Sequence, residues 1–237
     1  MAKKNEMTPM MRHYLETKDQ YPDSVLFYRL GDFYEMFFDD AITVSKELEL
    51  TLTGKDCGMS ERAPMCGIPY HAASMYIQRL IAKGYKVAIC EQVEDPKLAK
   101  GIVKRDVIRV ITPGTVIDEA LLDERSNNYL AVVYSEMGVS GFAVSDVSTG
   151  EIYTTEVDGY AGALNEIARY EPKELLINEN AAAEIAKDVE LKFHLRPEVH
   201  NEDFFGGDNS GKITEQFGKS IAELGIASKP CAVKAVG

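Results

Sequence analysis

Apolar positions along the first half fall into short blocks of two periods, separated by turn residues. Thr8-Pro9 reads as a helix N-cap followed by proline at the first helical position. Met10, Met11, Tyr14 and Leu15 then recur near one face, predicting a helix to about Gln20 that Tyr21-Pro22-Asp23 ends. Residues 25–30 (VLFYRL) are β-branched and aromatic and read as a strand. Gly31-Asp32 interrupts it, and residues 33–38 are rich in aromatics. Asp39-Asp40 is expected to cap a helix reaching about Leu48. Residues 50–65 are polar with glycines, which fits a strand and a loop. Residues 71–82 predict a helix closed by Gly84, and residues 86–93 (KVAICEQV) and 106–112 (DVIRVIT) predict strands. GIPYH (67–71) reads as a packing turn, with His71 near a helix start.

Pro113-Gly114 is a turn signal, and residues 118–125 (DEALLDER) suit a short connecting helix. The second half opens with three predicted strands, 129–135, 139–147 and 151–157, joined by Met137-Gly138 and by Ser148-Thr149-Gly150. A helix over 160–170 stops at Glu171-Pro172. A short buried strand (174–177) and an alanine-rich helix (181–187) follow. The order β-β-β-α-β-α implies one mixed sheet covered by helices. Residues 201–211 read as a loop and 213–224 as a helix.

Composition sharpens this picture at three points. The chain has 237 residues, 45% apolar and 27% charged, which supports packed cores and suits one large domain or two small ones. The lysine-bearing start is followed by no apolar segment, so it is not read as a secretory signal, and the expected location is the cytoplasm. The four cysteines form no CxxC pair and the four histidines are scattered, so reduced thiols and no metal site are expected.

Charge divides the chain more sharply. The net charge is −12. Residues 1–113 hold 16 Lys/Arg against 16 Asp/Glu, whereas residues 114–237 hold 10 against 22. Nucleic acid is therefore compatible only with the first half, and the acidic second half is better suited to protein partners. The resulting division is a first domain over 1–113, a linker over 114–127 and a second domain over 128–237.

Several chemistries have no motif here. There is no GxxxxGK[ST], no GxGxxG after a strand, no GxSxG and no HExxH. The segment that stands out is RLGDFYEMF (29–37). In a strand, Phe33 and Glu35 point to one face and Tyr34 to the other. By pattern alone, such an aromatic cluster between strand and helix reads as core.

RLGDFYEMF resembles the GDFYE(L/M)F signature of the bacterial MutS mismatch-repair family. PMCGIPYHAA (64–73), KVAICEQVEDP (86–96), VIRVITPGTVIDEALL (107–122) and FAVSDVSTGEI (142–152) resemble further segments of that family in order. The resemblance covers essentially the whole chain. It implies an α/β (α+β) protein of two domains: a mixed-sheet mismatch-recognition domain and an RNase H-like connector. It implies recognition of mispaired or unpaired bases in duplex DNA, with Phe33 as the wedge beside the mispair and Glu35 as the hydrogen-bond acceptor to the base.

Arg29, Lys55, Arg79, Lys86, Lys104, Arg105 and Arg109 are candidate contacts to DNA phosphates, drawn from the basic residues of the first half. The resemblance further implies MutL binding through the connector, a sliding-clamp state, a homodimer, and ATP and magnesium chemistry in a longer parent chain. The 237 residues are read as an N-terminal piece with a truncated connector, itself no enzyme and without cofactor, working at the nucleoid. Two other readings compete: a related protein with a different DNA task, and an RNase H-like, metal-dependent nuclease using Asp146 and Glu151.

Overall fold

The computed structural model describes residues 7–58, 60–94, 101, 103–117 and 127–237. The chain divides into two units, Met1–Thr112 and Pro113–Gly237. The helix expected over 118–125 lies outside the described residues.

In the first unit, α1 (Pro9–Gln20) starts as anticipated: Thr8 Oγ1 accepts the Met11 N–H and Pro9 occupies the first turn. Its buried residues Met11, Tyr14 and Thr17 lie on one face. β1 (Ser24–Leu30) and β2 (Phe33–Phe37) form a hairpin around Gly31-Asp32, with Leu30 opposite Phe33 and Tyr28 opposite Glu35. Gly31 has φ +57°, a conformation glycine adopts without strain.

α2 (Phe38–Leu48) follows at once, and here the expected cap is corrected. No side chain caps α2, and Asp39 and Asp40 lie inside its first turn. Asp40 is buried and bonds outward instead, accepting from Leu26 N at 3.0 Å, Lys18 Nζ at 2.9 Å and Tyr14 Oη at 3.3 Å. Its carboxylate thus satisfies a strand N–H and joins α2 to β1 and α1. A tertiary role has displaced the local one.

β3 (Thr53–Lys55) and β4 (Ala63–Pro69) lead through a 3₁₀ turn (Tyr70–Ala72) into α3 (Ala73–Ile81). GIPYH is therefore not only a turn: Gly67 to Pro69 are strand. β5 (Lys86–Gln92) and β6 (Arg105–Ile111) complete a six-stranded sheet of order β3-β4-β2-β1-β5-β6. β1 and β5 run parallel and the other neighbours antiparallel. α1 packs against one face, over Leu26, Tyr28, Phe37 and Cys90. α2 covers the other, where Cys66 Sγ reaches the Ala41 carbonyl.

The second unit opens with the expected meander, β7 (Tyr129–Glu136), β8 (Val139–Asp146) and β9 (Glu151–Asp158). Then come α4 (Gly159–Tyr170), β10 (Glu174–Asn178), α5 (Glu179–Phe193) and β11 (Glu198–His200). The sheet order is β11-β10-β7-β8-β9, with β10 parallel to both β7 and β11. Numbered within the unit from β9, that order is 3-2-1-4-5, the RNase H-like arrangement. α4 and α5 bury Ala163, Ile167, Ile185 and Val189 against one face of the sheet.

α6 (Asn209–Phe217) begins earlier than the predicted 213 and ends at Gly218, whose φ is +65°. Residues 218–224 are not helical. α7 (Pro230–Val236) lies on the opposite sheet face, packing Cys231 and Ala235 on Tyr134 and Ala143. Gly141 makes that approach possible, since a Cβ there would stand 2.0 Å from the Cys231 carbonyl oxygen. No helix among the described residues is long and apolar enough to cross a membrane.

Candidate nucleic-acid interface

The hairpin register decides where RLGDFYEMF points. Phe33 and Glu35 lie on the α1 face of the sheet, opposite Leu30 and Tyr28. Phe33 is not core: it is 46% exposed, whereas Tyr34, Met36 and Phe37 are buried. The ring stands partly in water at the first strand position after the Gly31-Asp32 turn, where a partner can reach it.

Three neighbours define its surroundings. Gly67 on β4 pairs with Glu35, and Pro69 pairs with Phe33. A Cβ at Gly67 would meet Glu35 Cγ at 3.5 Å and Phe33 Cδ1 at 4.0 Å, so the glycine leaves both side chains room on their face. Lys55 at the end of β3 reaches across to Glu35, with Nζ 2.5 Å from Oε2. The Glu35 side chain is only 15% exposed and that of Lys55 32%.

The reverse face of the same hairpin carries a brace that the sequence did not reveal. Arg29 Nε donates to the Gly31 carbonyl at 2.6 Å, its Nη1 pairs with Glu91 at 3.3 Å, and the guanidinium lies 3.7 Å over the Tyr70 ring. The Tyr34 hydroxyl donates to the same Glu91 carboxylate. Burial first, and then that hydrogen bond, push the Tyr34 hydroxyl pKa well above its usual value. Tyr70 N in turn donates to the Asp32 carbonyl at 3.0 Å. The turn presenting Phe33 is thus fastened at Gly31 and at Asp32.

The candidate phosphate contacts separate into groups. Arg29 is engaged in the brace and Lys55 with Glu35. Arg105 is a correction: it is buried, donates to the carbonyls of Arg29 (2.7 Å) and Val103 (2.8 Å), and packs over Tyr28. It serves the fold rather than offering itself to phosphate. Lys104 is exposed, its backbone N–H held by Glu94, and the register with Gln92 puts it at the Phe33 end of the sheet. Lys86 lies at the opposite end, beside Ser24 and 3.2 Å from Asp23. Arg79 is exposed in the last turn of α3. Arg109 is half-buried on β6, with one guanidinium nitrogen buried and unbonded among the described residues.

The two acids of the nuclease reading, Asp146 and Glu151, face each other across β8 and β9. Burial alone would raise the pKa of Asp146. Hydrogen bonds from the Ser148 hydroxyl and from the Asn128, Ser148 and Thr149 turn outweigh it and hold the carboxyl below the usual carboxylate range. Glu151 is exposed at the start of β9. Among the described residues no three acids, histidines or cysteines gather as a metal site.

The family models for MutS domain I and MutS domain II match residues 8–120 and 128–237. The chain belongs to the MutS family. The DNA mismatch repair protein MutS of Ruminiclostridium cellulolyticum is 52% identical over 237 residues, covering 98% of this chain and 27% of that protein. Its counterpart in Lachnoclostridium phytofermentans is 49% identical over the same span, 25% of its length. That of Acetivibrio thermocellus is 59% identical over 175 residues, covering 73% of this chain and 20% of its own. The chain therefore spans about a quarter of the length of the MutS relatives it matches in full.

Proposed function

We propose that this chain is the mismatch-sensing end of a MutS, in which Phe33 enters duplex DNA beside a mispaired or unpaired base and Glu35 accepts a hydrogen bond from that base. The observation that carries the reading is the exposed Phe33 ring directly beside a Glu35 carboxylate on a braced hairpin. Inserting a ring between base steps costs a few kcal/mol of unstacking. A mispair has already lost part of that energy, so the wedge reads local weakness rather than sequence. Kinking the duplex costs roughly 1–6 kcal/mol by elastic estimates, and a mispair lowers that too. A carboxylate is rewarded only where a base offers a free donor; at a matched pair it meets none and is repelled by phosphates.

Phosphate contacts come from the exposed cations of the first unit, with Lys104 the best placed. The acidic second unit suits a protein partner, and MutL is the partner we propose. Homodimerisation, a sliding-clamp state and the ATP- and magnesium-dependent step are assigned to the remaining length found in the relatives. These 237 residues carry no phosphate-loop motif, and we assign them no catalysis of their own. We place the protein in the bacterial cytoplasm at the nucleoid.

The test is a comparison of G·T and matched duplex binding, at one stated salt concentration, in full-length MutS carrying this sequence. Phe33→Ala is expected to abolish mismatch preference while matched binding survives. Unchanged preference withdraws the reading.

A further inference from the structure

The Lys55–Glu35 pair is unlike the protein's other ion pairs in where it stands. It joins the far edge strand, β3, to the carboxylate beside the exposed Phe33 ring. Glu35 is two-sidedly confined: Gly67 opposes it on β4, and its side chain is largely covered. Lys55 is held in turn, its Nζ 5.7 Å from the Phe37 ring centroid. A carboxylate on a flexible side chain has several rotamers, and one charge-assisted bond selects among them.

We infer that Lys55 is a positioning residue, which fixes Glu35 in the orientation that reads the base. This rests on the assignment of Glu35 to the mispair, but it gives Lys55 a role distinct from a phosphate contact. A lysine already paired within the protein releases few counterions from DNA, so its loss leaves the salt dependence nearly unchanged. A lysine bound to phosphate contributes about 0.9 to the slope of log K against log salt. A positioning lysine acts on the ratio of mismatched to matched affinity. A phosphate contact lowers both affinities alike and leaves that ratio intact.

The decisive experiment is a double-mutant cycle in full-length MutS carrying this chain, with Lys55→Met in Glu35 and Glu35→Gln backgrounds. G·T and matched duplexes are titrated at three salt concentrations. Lys55→Met is expected to lower the G·T-to-matched ratio about fivefold with Glu35 present, to leave it unchanged with Gln at 35, and to keep the salt slope. Lys55→Arg is expected to restore most of the ratio, and far-UV circular dichroism with a thermal melt confirms that each variant folds. An unchanged ratio with the slope lowered by about 0.9 overturns the inference in favour of a phosphate contact. An equal fall in both backgrounds also overturns it, because Lys55 would then act apart from Glu35. Phe33→Ala serves as the separate control: if it abolishes the preference while Lys55→Met does not alter it, only the positioning role falls.

Discussion

Arg29 illustrates how a residue's surroundings reassign it. Its charge and its place beside GDFYE suggest an arm for phosphate, yet the guanidinium is used within the protein, on the Gly31 carbonyl, Glu91 and the Tyr70 ring. A cation over an aromatic face contributes about 0.5–2 kcal/mol, and a charge-assisted hydrogen bond about 1.5–3. Arg29→Ala is therefore expected to cost the first unit about 2 kcal/mol in urea unfolding and to loosen the turn that presents Phe33. Mismatch preference then falls severalfold, with little change in salt slope. A variant that keeps its preference but loses about 0.9 in slope would identify Arg29 as a phosphate contact instead. Phe33 is the converse case. Its type argues for core, whereas the family resemblance and its 46% exposure on the strand argue for a partner.

At the scale of elements, Gly141 marks a packing that no local pattern announces. α7 approaches β8 so closely that a methyl group there would sit 2.0 Å from the Cys231 carbonyl. Gly141→Ala must lift the helix from Tyr134 and Ala143 and uncover Cys231 and Ala235. Overpacking of this kind costs typically 1–3 kcal/mol, so a lower urea midpoint and faster labelling of Cys231 are expected. An unchanged midpoint would mean that α7 does not rest on β8. The elements that were legible were those whose own residues specify them. Thr8-Pro9 opens α1, and the apolar and aromatic run of 25–30 places β1 to within a residue. The elements misread were those set by distant partners. Asp40 left its capping role for Leu26 N and Lys18. Gly67 and Pro69 looked like turn residues, but one opposes Glu35 and the other Phe33 in a strand. β11 is only three residues long and shows no period, and α6 stops at Gly218 rather than running on to 224. The site shows the same division: family resemblance pointed to Phe33 and Glu35, while the Lys55 contact and the Arg29 brace needed the fold.

Across the whole chain, the two units differ in how their buried ionisable groups respond to alkali. In the first, burial pushes the Cys66 and Cys90 thiols and the Tyr28 hydroxyl up to about 12, and raises Tyr14 and Tyr34 strongly. In the second, Cys231 and Tyr134 are raised, again chiefly by burial. Each folded value exceeds the unfolded one, near 9 for thiols and 10 for tyrosines. Below those values the groups are neutral in both states, and their contribution to stability is complete. Above them the unfolded chain releases protons that the folded chain retains, so stability falls as pH rises toward the folded values. The slope is about 1.4 kcal/mol per pH unit for each group fully ionised only in the unfolded chain. With more such groups, the first unit is expected to weaken earlier and more steeply between pH 8 and pH 10.5. The cysteines report this directly, because all four are buried and free: Cys57, Cys66 and Cys90 belong to the first unit and Cys231 to the second. Pulsed alkylation across a urea series, read by mass spectrometry under reducing conditions, gives a midpoint for each set at both pH values. The midpoint of the first set should drop by more than that of Cys231. Equal shifts, or a larger one at Cys231, would show that these buried hydroxyls and thiols do not govern the alkaline stability of the unit that presents Phe33.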